Sequence, residues 1–138
     1  MFNYTKVKRM IVVGANPGLK YVAVISRNGS MSEEQLIERI ASASSLAEND
    51  VLSAIRALQM EIVNATMNGI TVHLNQLGNF TPYLKANAME TIEEVDAKTI
   101  KRVKVNFNPN ARFKSKLKSS NFEYRDPAPK GLQNDESI

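Results

Sequence analysis

Along the chain the spacing of apolar residues switches between two, the period of a strand, and 3.6, the period of a helix. Residues 5–13 and 19–26 are rich in Val, Ile and Tyr and flank Gly14-Ala15-Asn16-Pro17-Gly18. Proline fixes one φ and the glycines accept positive φ, so this region predicts two strands around a turn. Ser30-Met31-Ser32-Glu33-Glu34-Gln35 marks a helix start. Ser32 with Gln35, or Ser30 with Glu33, has capping-box spacing, and the acids sit at the positive end of the helix dipole. Leu36, Ile37, Ile40 and Ala41 give that helix an apolar face, which fades at 42–45. A second helix is expected from about Glu48 to Asn68, where Val51, Ile55, Leu58, Ile62 and Ala65 form a seam for a partner helix. Asn68-Gly69 closes it. The two helices are expected to form a hairpin with an acidic outer side.

From Gly69 the period returns to two. Ile70, Val72 and Leu74 alternate with Thr71, His73 and Asn75, and Gln76-Leu77-Gly78-Asn79 turns into Phe80-Thr81-Pro82-Tyr83-Leu84, a β-hairpin. His73 falls on the polar side, as a surface residue. Thr91-Ile92-Glu93-Glu94 has capping-box spacing and predicts a short helix. In the strand expected at 101–107, Val103, Val105 and Phe107 point to a core, while Arg102, Lys104 and Asn106 point the other way. Asn108-Pro109 reads as N-cap and first residue of a third helix. In that helix Phe113 and Leu117 face inward and Arg112, Lys114, Lys116 and Lys118 lie outside, so that strand and helix present one continuous basic surface. Phe122 and Tyr124 predict a short last strand, and residues from 126 onward read as a flexible tail.

Length allows one ordinary domain with a small appendage: 138 residues, 43% of them apolar. The expected division is 1–29 as an N-terminal strand extension, 30–125 as the main domain and 126–138 as the tail. The absence of cysteine excludes disulfides, thiol catalysis and cysteine-bound zinc, and a single histidine argues against imidazole metal sites and Ser-His triads. No cofactor, metal or small-molecule substrate is expected, and no nucleophile–base pair points to an enzyme. Glu93-Glu94 has a helix-cap explanation. Gly14 to Gly18 is no phosphate loop, because the Gly-Lys-Ser/Thr ending is missing and a strand follows where a helix should. No apolar run approaches the roughly 20 residues of a membrane-spanning helix, and Met10–Val13 is too short for a signal-peptide core, so a cytoplasmic protein is expected.

Charge is distributed unevenly around a net of +4. Lys6, Lys8, Arg9, Lys20 and Arg27 meet no acid before Glu33, whereas Glu90, Glu93, Glu94 and Asp96 form a second acidic cluster. Lys98, Lys101, Arg102, Lys104, Arg112, Lys114, Lys116 and Lys118 then follow without an acid until Glu123. Such a block is either a solvated face kept for solubility or a surface for a polyanion.

The order helix, helix, strand, glycine turn, strand, long excursion, basic strand, Phe-x-Pro, basic helix resembles the bacterial histone-like HU and integration host factor family. Leu77-Gly78-Asn79-Phe80 is similar to the family's Gly-Phe-Gly-Asn-Phe turn. Val105-Asn106-Phe107-Asn108-Pro109-Asn110, with Lys114-Ser115-Lys116-Leu117 after it, is similar to its Val-Thr-Phe-Arg-Pro-Gly segment and following lysine. The match covers about 32–118. The N-terminal strand pair and the Thr-x-Glu-Glu segment look like the histone-like variants of Bacteroides-type bacteria, in which extra strands precede the domain.

The resemblance implies an α+β HU-like fold: helical hairpin, antiparallel sheet and C-terminal helix, here with an extra N-terminal β-hairpin. It implies a nucleoid-associated homodimer that holds double-stranded DNA by backbone and shape, with arms reaching into the minor groove and a proline at each arm tip. Carried over, Gly78 and Asn79 place backbone amides near phosphate, Arg102 and Lys104 lie on the strand leaving the arm, and Asn108, Arg112 and Lys114 lie at the flanking helix. Lys98, Lys101, Lys116 and Lys118 join them through the basic block. The arm departs from the family: 85–101 has four acids, no arginine and no proline. Asn110 stands in place of glycine. The alternative reading is an HU-fold scaffold that has lost DNA and engages proteins through its acidic arm and N-terminal strands.

Overall fold

The computed structural model describes residues 1–126 and has a mixed α+β fold. The order is β1 (Phe2–Ile11), β2 (Gly18–Ser26), α1 (Glu33–Ser42), α2 (Glu48–Met67), β3 (Val72–Leu74), β4 (Gly78–Ala86), β5 (Ile100–Pro109), α3 (Ala111–Lys118) and β6 (Phe122–Tyr124). The chain divides into two compact units: Met1–Ser30 with the described residues from Ser119 on, and Met31–Lys118. The expected tail at 126–138 lies outside the described residues apart from Asp126.

In the first unit β1 and β2 pair antiparallel from Asn3↔Ser26 to Ile11↔Gly18, as the turn residues between them predict. The short last strand joins this sheet, β6 pairing parallel with β1 at Phe2↔Phe122 and Tyr4↔Tyr124. The order is therefore β2-β1-β6. Sequence reading places β6 at the end of the main domain; the pairing returns it to the N-terminal strands.

The second unit begins with the expected capping box. The Gln35 N–H donates to Ser32 Oγ at 3.2 Å, and the Ser32 N–H donates to Gln35 Oε1 at 3.0 Å, satisfying two otherwise orphaned donors. α1 and α2 make contact, and the Arg56 guanidinium of α2 reaches Glu33 of α1 at 3.2 Å. Gly69, at φ 76°, takes the left-handed conformation just beyond the Asn68 C-cap, where only glycine is free of a Cβ penalty.

β3, β4 and β5 form the second sheet in that order, antiparallel throughout. β3 pairs with β4 only as far as Phe80, so Pro82, which has no N–H to donate, stands where β4 has become an edge. The expected short helix at 91–95 is a pair of 3₁₀ turns, Ile92–Glu94 and Ala97–Thr99. The Thr91 hydroxyl bonds the Glu94 carboxylate at 3.0 Å and caps no backbone N–H, so the capping box is not formed. The Asn87 N–H bonds the Thr99 carbonyl at 2.8 Å and closes the base of the 87–99 excursion.

Two expectations are corrected here. The third helix is capped by Asn110 and not by Asn108: β5 keeps pairing through Pro109, opposite Gly78, and the Phe113 N–H donates to Asn110 Oδ1 at 3.0 Å. Nor is the Val103–Val105–Phe107 face a core within one chain. These residues are 59%, 49% and 42% exposed, and Ile37 and Val51 are the buried apolar side chains among the described residues.

Candidate nucleic-acid interface

The β4–β5 ladder sorts its residues by alternation. Pairs Asn79↔Asn108, Thr81↔Asn106, Tyr83↔Lys104 and Lys85↔Arg102 share one face, and His73 of β3, opposite Asn79, belongs to the same row. The other face carries Phe80↔Phe107, Pro82↔Val105 and Leu84↔Val103. The polar face holds amides and hydroxyls at the turn end and three cations, Lys85, Arg102 and Lys104, at the far end. No acid stands on it. Among the described residues none of these three cations is in an ion pair.

The turn end is fixed by close packing. A Cβ on Gly78 would overlap the Asn108 carbonyl oxygen and come within 2.8 Å of Pro109 Cα, so β4 and β5 meet there only through glycine. Asn79 Oδ1 accepts from Thr81 Oγ1 at 3.0 Å and from Asn108 Nδ2 at 3.4 Å, tying two of the expected contact residues to each other. Asn110 is the clasp. Its N–H donates to the Leu77 carbonyl at 2.8 Å and its Nδ2 to the Asn75 carbonyl at 2.9 Å, locking the β3–β4 turn to the start of α3.

The remaining expected residues are distributed as follows. Arg102 and Lys104 lie on the polar face. Lys101 is the extra residue of a β-bulge, since Lys85 pairs with Arg102 and Ala86 with Ile100. Lys98 sits in the second 3₁₀ turn, its N–H held by Asp96 Oδ1 at 2.9 Å. On α3, at about 100° per residue, Arg112 and Lys116 flank the Phe113–Leu117 stripe on one side and Lys114 and Lys118 on the other. The helix cations are thus two i,i+4 pairs, not a single outer face. Phe113 packs edge-on to Phe107, ring centroids 6.4 Å apart, and Phe107 contacts Phe80 at 5.1 Å. That cluster covers the turn end of the apolar sheet face and leaves Leu84 and Val103 exposed.

Lys85, Thr81, Tyr83 and Asn106 complete the polar face but are absent from the set read off the sequence. The signal was available: Asn79-x-Thr81-x-Tyr83-x-Lys85 has the same period of two as Arg102-x-Lys104-x-Asn106-x-Asn108.

Comparison with known proteins bears on this geometry. The family model for an HU domain fused to a wHTH, Ig or glycine-rich motif, HU-HIG, matches residues 2–124. No curated protein sequence matches. Among solved structures, a Bacteroides vulgatus protein provisionally named a bacterial DNA-binding protein is similar, with a TM-score of 0.68 and 14% identity over 89% of this chain. The chain spans about half of that protein's length, 47%.

Proposed function

Because the chain belongs to the HU-HIG family, in which an HU domain is fused to other motifs, we propose that it binds double-stranded DNA through the phosphate backbone, as a homodimer, with little reading of base sequence. The polar face of β4–β5 carries this reading: Lys85, Arg102 and Lys104 on one side of a sheet, without a carboxylate among them. Cations on a rigid ladder give phosphates fixed partners, and amides such as Asn79 and Asn108 add donors that are indifferent to sequence. α3 adds Arg112, Lys114, Lys116 and Lys118 to the cations of the same unit. The similar Bacteroides protein, named for DNA binding, agrees with this reading.

The dimer is supported by what one chain leaves uncovered. With so few buried apolar side chains, the half-exposed row Leu84, Val103, Val105 calls for a covering surface, and a second copy supplies one with the same chemistry. The helical hairpin would form the shared base. A minor-groove wedge is not part of the proposal. The 87–99 excursion is acidic, turns back on itself through two 3₁₀ turns and has no proline to insert. The cytoplasmic nucleoid would be the place of action.

The direct test is a charge reversal. Lys104→Glu with Lys114→Glu is expected to abolish duplex binding in an electrophoretic shift assay while the sedimentation coefficient stays that of the parent. Unchanged affinity would mean that DNA, if bound, is held elsewhere.

A further inference from the structure

A second surface, in the first unit, has a composition that duplex binding does not use. Register places alternate residues of β1 and β2 on one side of the β2-β1-β6 sheet. Phe2 stacks with Phe122, ring centroids 6.0 Å apart at 27°, and Tyr4 meets Tyr124 at 5.8 Å. Further along the same side the Lys6 ammonium lies 4.7 Å from the centroid of the Tyr124 ring, and that of Lys8 lies 5.9 Å from Tyr21. The sheet's opposite side holds Val7, Val22 and Val24, all half-buried. The aromatic side is the open one: Tyr21 is 75% and Phe122 70% exposed. Glu123 pairs with Asn3 and so belongs to the opposite side, whereas the Asp126 carboxylate meets the Tyr124 hydroxyl at the β6 end of the aromatic side, away from Tyr21 on β2.

Aromatic rings interleaved with lysines on an open sheet face match one ligand chemistry in particular: flat π-systems joined by anions. Bases stack on rings whatever their identity, and ammonium groups beside the rings meet the phosphates between them. Strand geometry sets the rows about 6.7 Å apart, two residues along β1, so successive rows address successive units of an extended polymer. Duplex DNA cannot use such a face, because its bases are already stacked on each other. We propose that the β2-β1-β6 sheet binds single-stranded nucleic acid, by base stacking on Tyr21 and Phe122 and by phosphate contacts from Lys6 and Lys8. The site is independent of the β4–β5 face.

The chain provides its own reporter. It has no tryptophan, and three of its four tyrosines, Tyr4, Tyr21 and Tyr124, lie on this side of the sheet. Titrating the full chain with unlabelled twelve-nucleotide oligothymidine is expected to quench tyrosine emission. A labelled oligomer followed by anisotropy is expected to bind roughly 5- to 100-fold more weakly to Tyr21→Ala, the range expected for loss of one stacking ring, while Tyr21→Phe binds as the parent does. Tyr21 is on an edge strand and mostly exposed, so its truncation leaves the fold intact, as an unchanged melting curve verifies. Lys6→Gln with Lys8→Gln is expected to lower the salt dependence of oligomer binding and to leave duplex binding unchanged. Absence of quenching, or equal affinity for Tyr21→Ala and parent, overturns the proposal. So does a Tyr21→Ala variant that alters the sedimentation coefficient without altering oligomer binding, which would make this face a contact between copies of the chain.

Discussion

At the scale of single residues, Gly78 and Asn110 hold the candidate interface in place. A Cβ at position 78 has no room against the Asn108 carbonyl, so Gly78→Ala must push β5 away from β4. Overpacking of this kind costs about 1–3 kcal/mol, and a urea melt of the variant is expected to show a loss of that size. Asn110→Ala removes an N-cap together with the bond to the β3–β4 turn, for an expected loss of about 0.5–2 kcal/mol in the same measurement. Glu33 makes a pH-dependent contribution. The Gln59 amide and the Arg56 guanidinium hold its carboxyl below the usual glutamate value. A group lowered on folding adds stability above its unfolded pKa and loses it as pH falls through the folded one. Acid melts followed by circular dichroism are therefore expected to show Glu33→Gln less stable than the parent near neutrality, with the difference vanishing at low pH. Asn110 was legible as a departure from the family's glycine, but not as a cap. Asn108-Pro109 offers the same cap chemistry two residues earlier, and only the continued pairing of β5 decides between them.

At the scale of elements, local patterns read well wherever both partners of an interaction are near in sequence. The Ser32–Gln35 box, the Gly69 helix end and the alternation of β5 are of this kind. The parallel pairing of β6 with β1 is not, because two aromatic residues around a glutamate carry no mark of a partner more than a hundred positions away. Alternation also tells which side of β5 is apolar without telling whether one chain suffices to cover it. Hence the half-exposed Val105, where sequence reading expected a core. That correction changes what a charge there should do. Val105→Asp introduces no charge into a sealed interior of the single chain; in the proposed dimer it places one at the covered face. Analytical ultracentrifugation is expected to show the variant shifted toward monomer and the parent dimeric. A variant that sediments as the parent does would remove that face from the dimer contact.

At the scale of the whole molecule, the uneven charge map resolves into separate surfaces. The block from Lys98 to Lys118, one run in sequence, is divided by the fold among a 3₁₀ turn, a bulge, a sheet face and two sides of a short helix. Only Arg102 and Lys104 of that block share the sheet face, where Lys85 joins them across the ladder. Net charge could announce a polyanion surface but not its outline, which depends on register. The basic N-terminal strands, read as an appendage, supply a second and chemically different face.

The central claim, a phosphate-gripping HU-like dimer, is tested most directly by the salt dependence of duplex binding. Anisotropy titrations against a duplex of about 30 base pairs, repeated between about 50 and 200 mM salt, give the number of phosphates neutralised from the slope of log affinity against log salt. Engagement of all three sheet cations in each of two copies predicts a slope of about −5 and little change on scrambling the sequence. A flat salt profile, or no binding at the lowest salt, would contradict it and turn attention to a protein partner for the same fold.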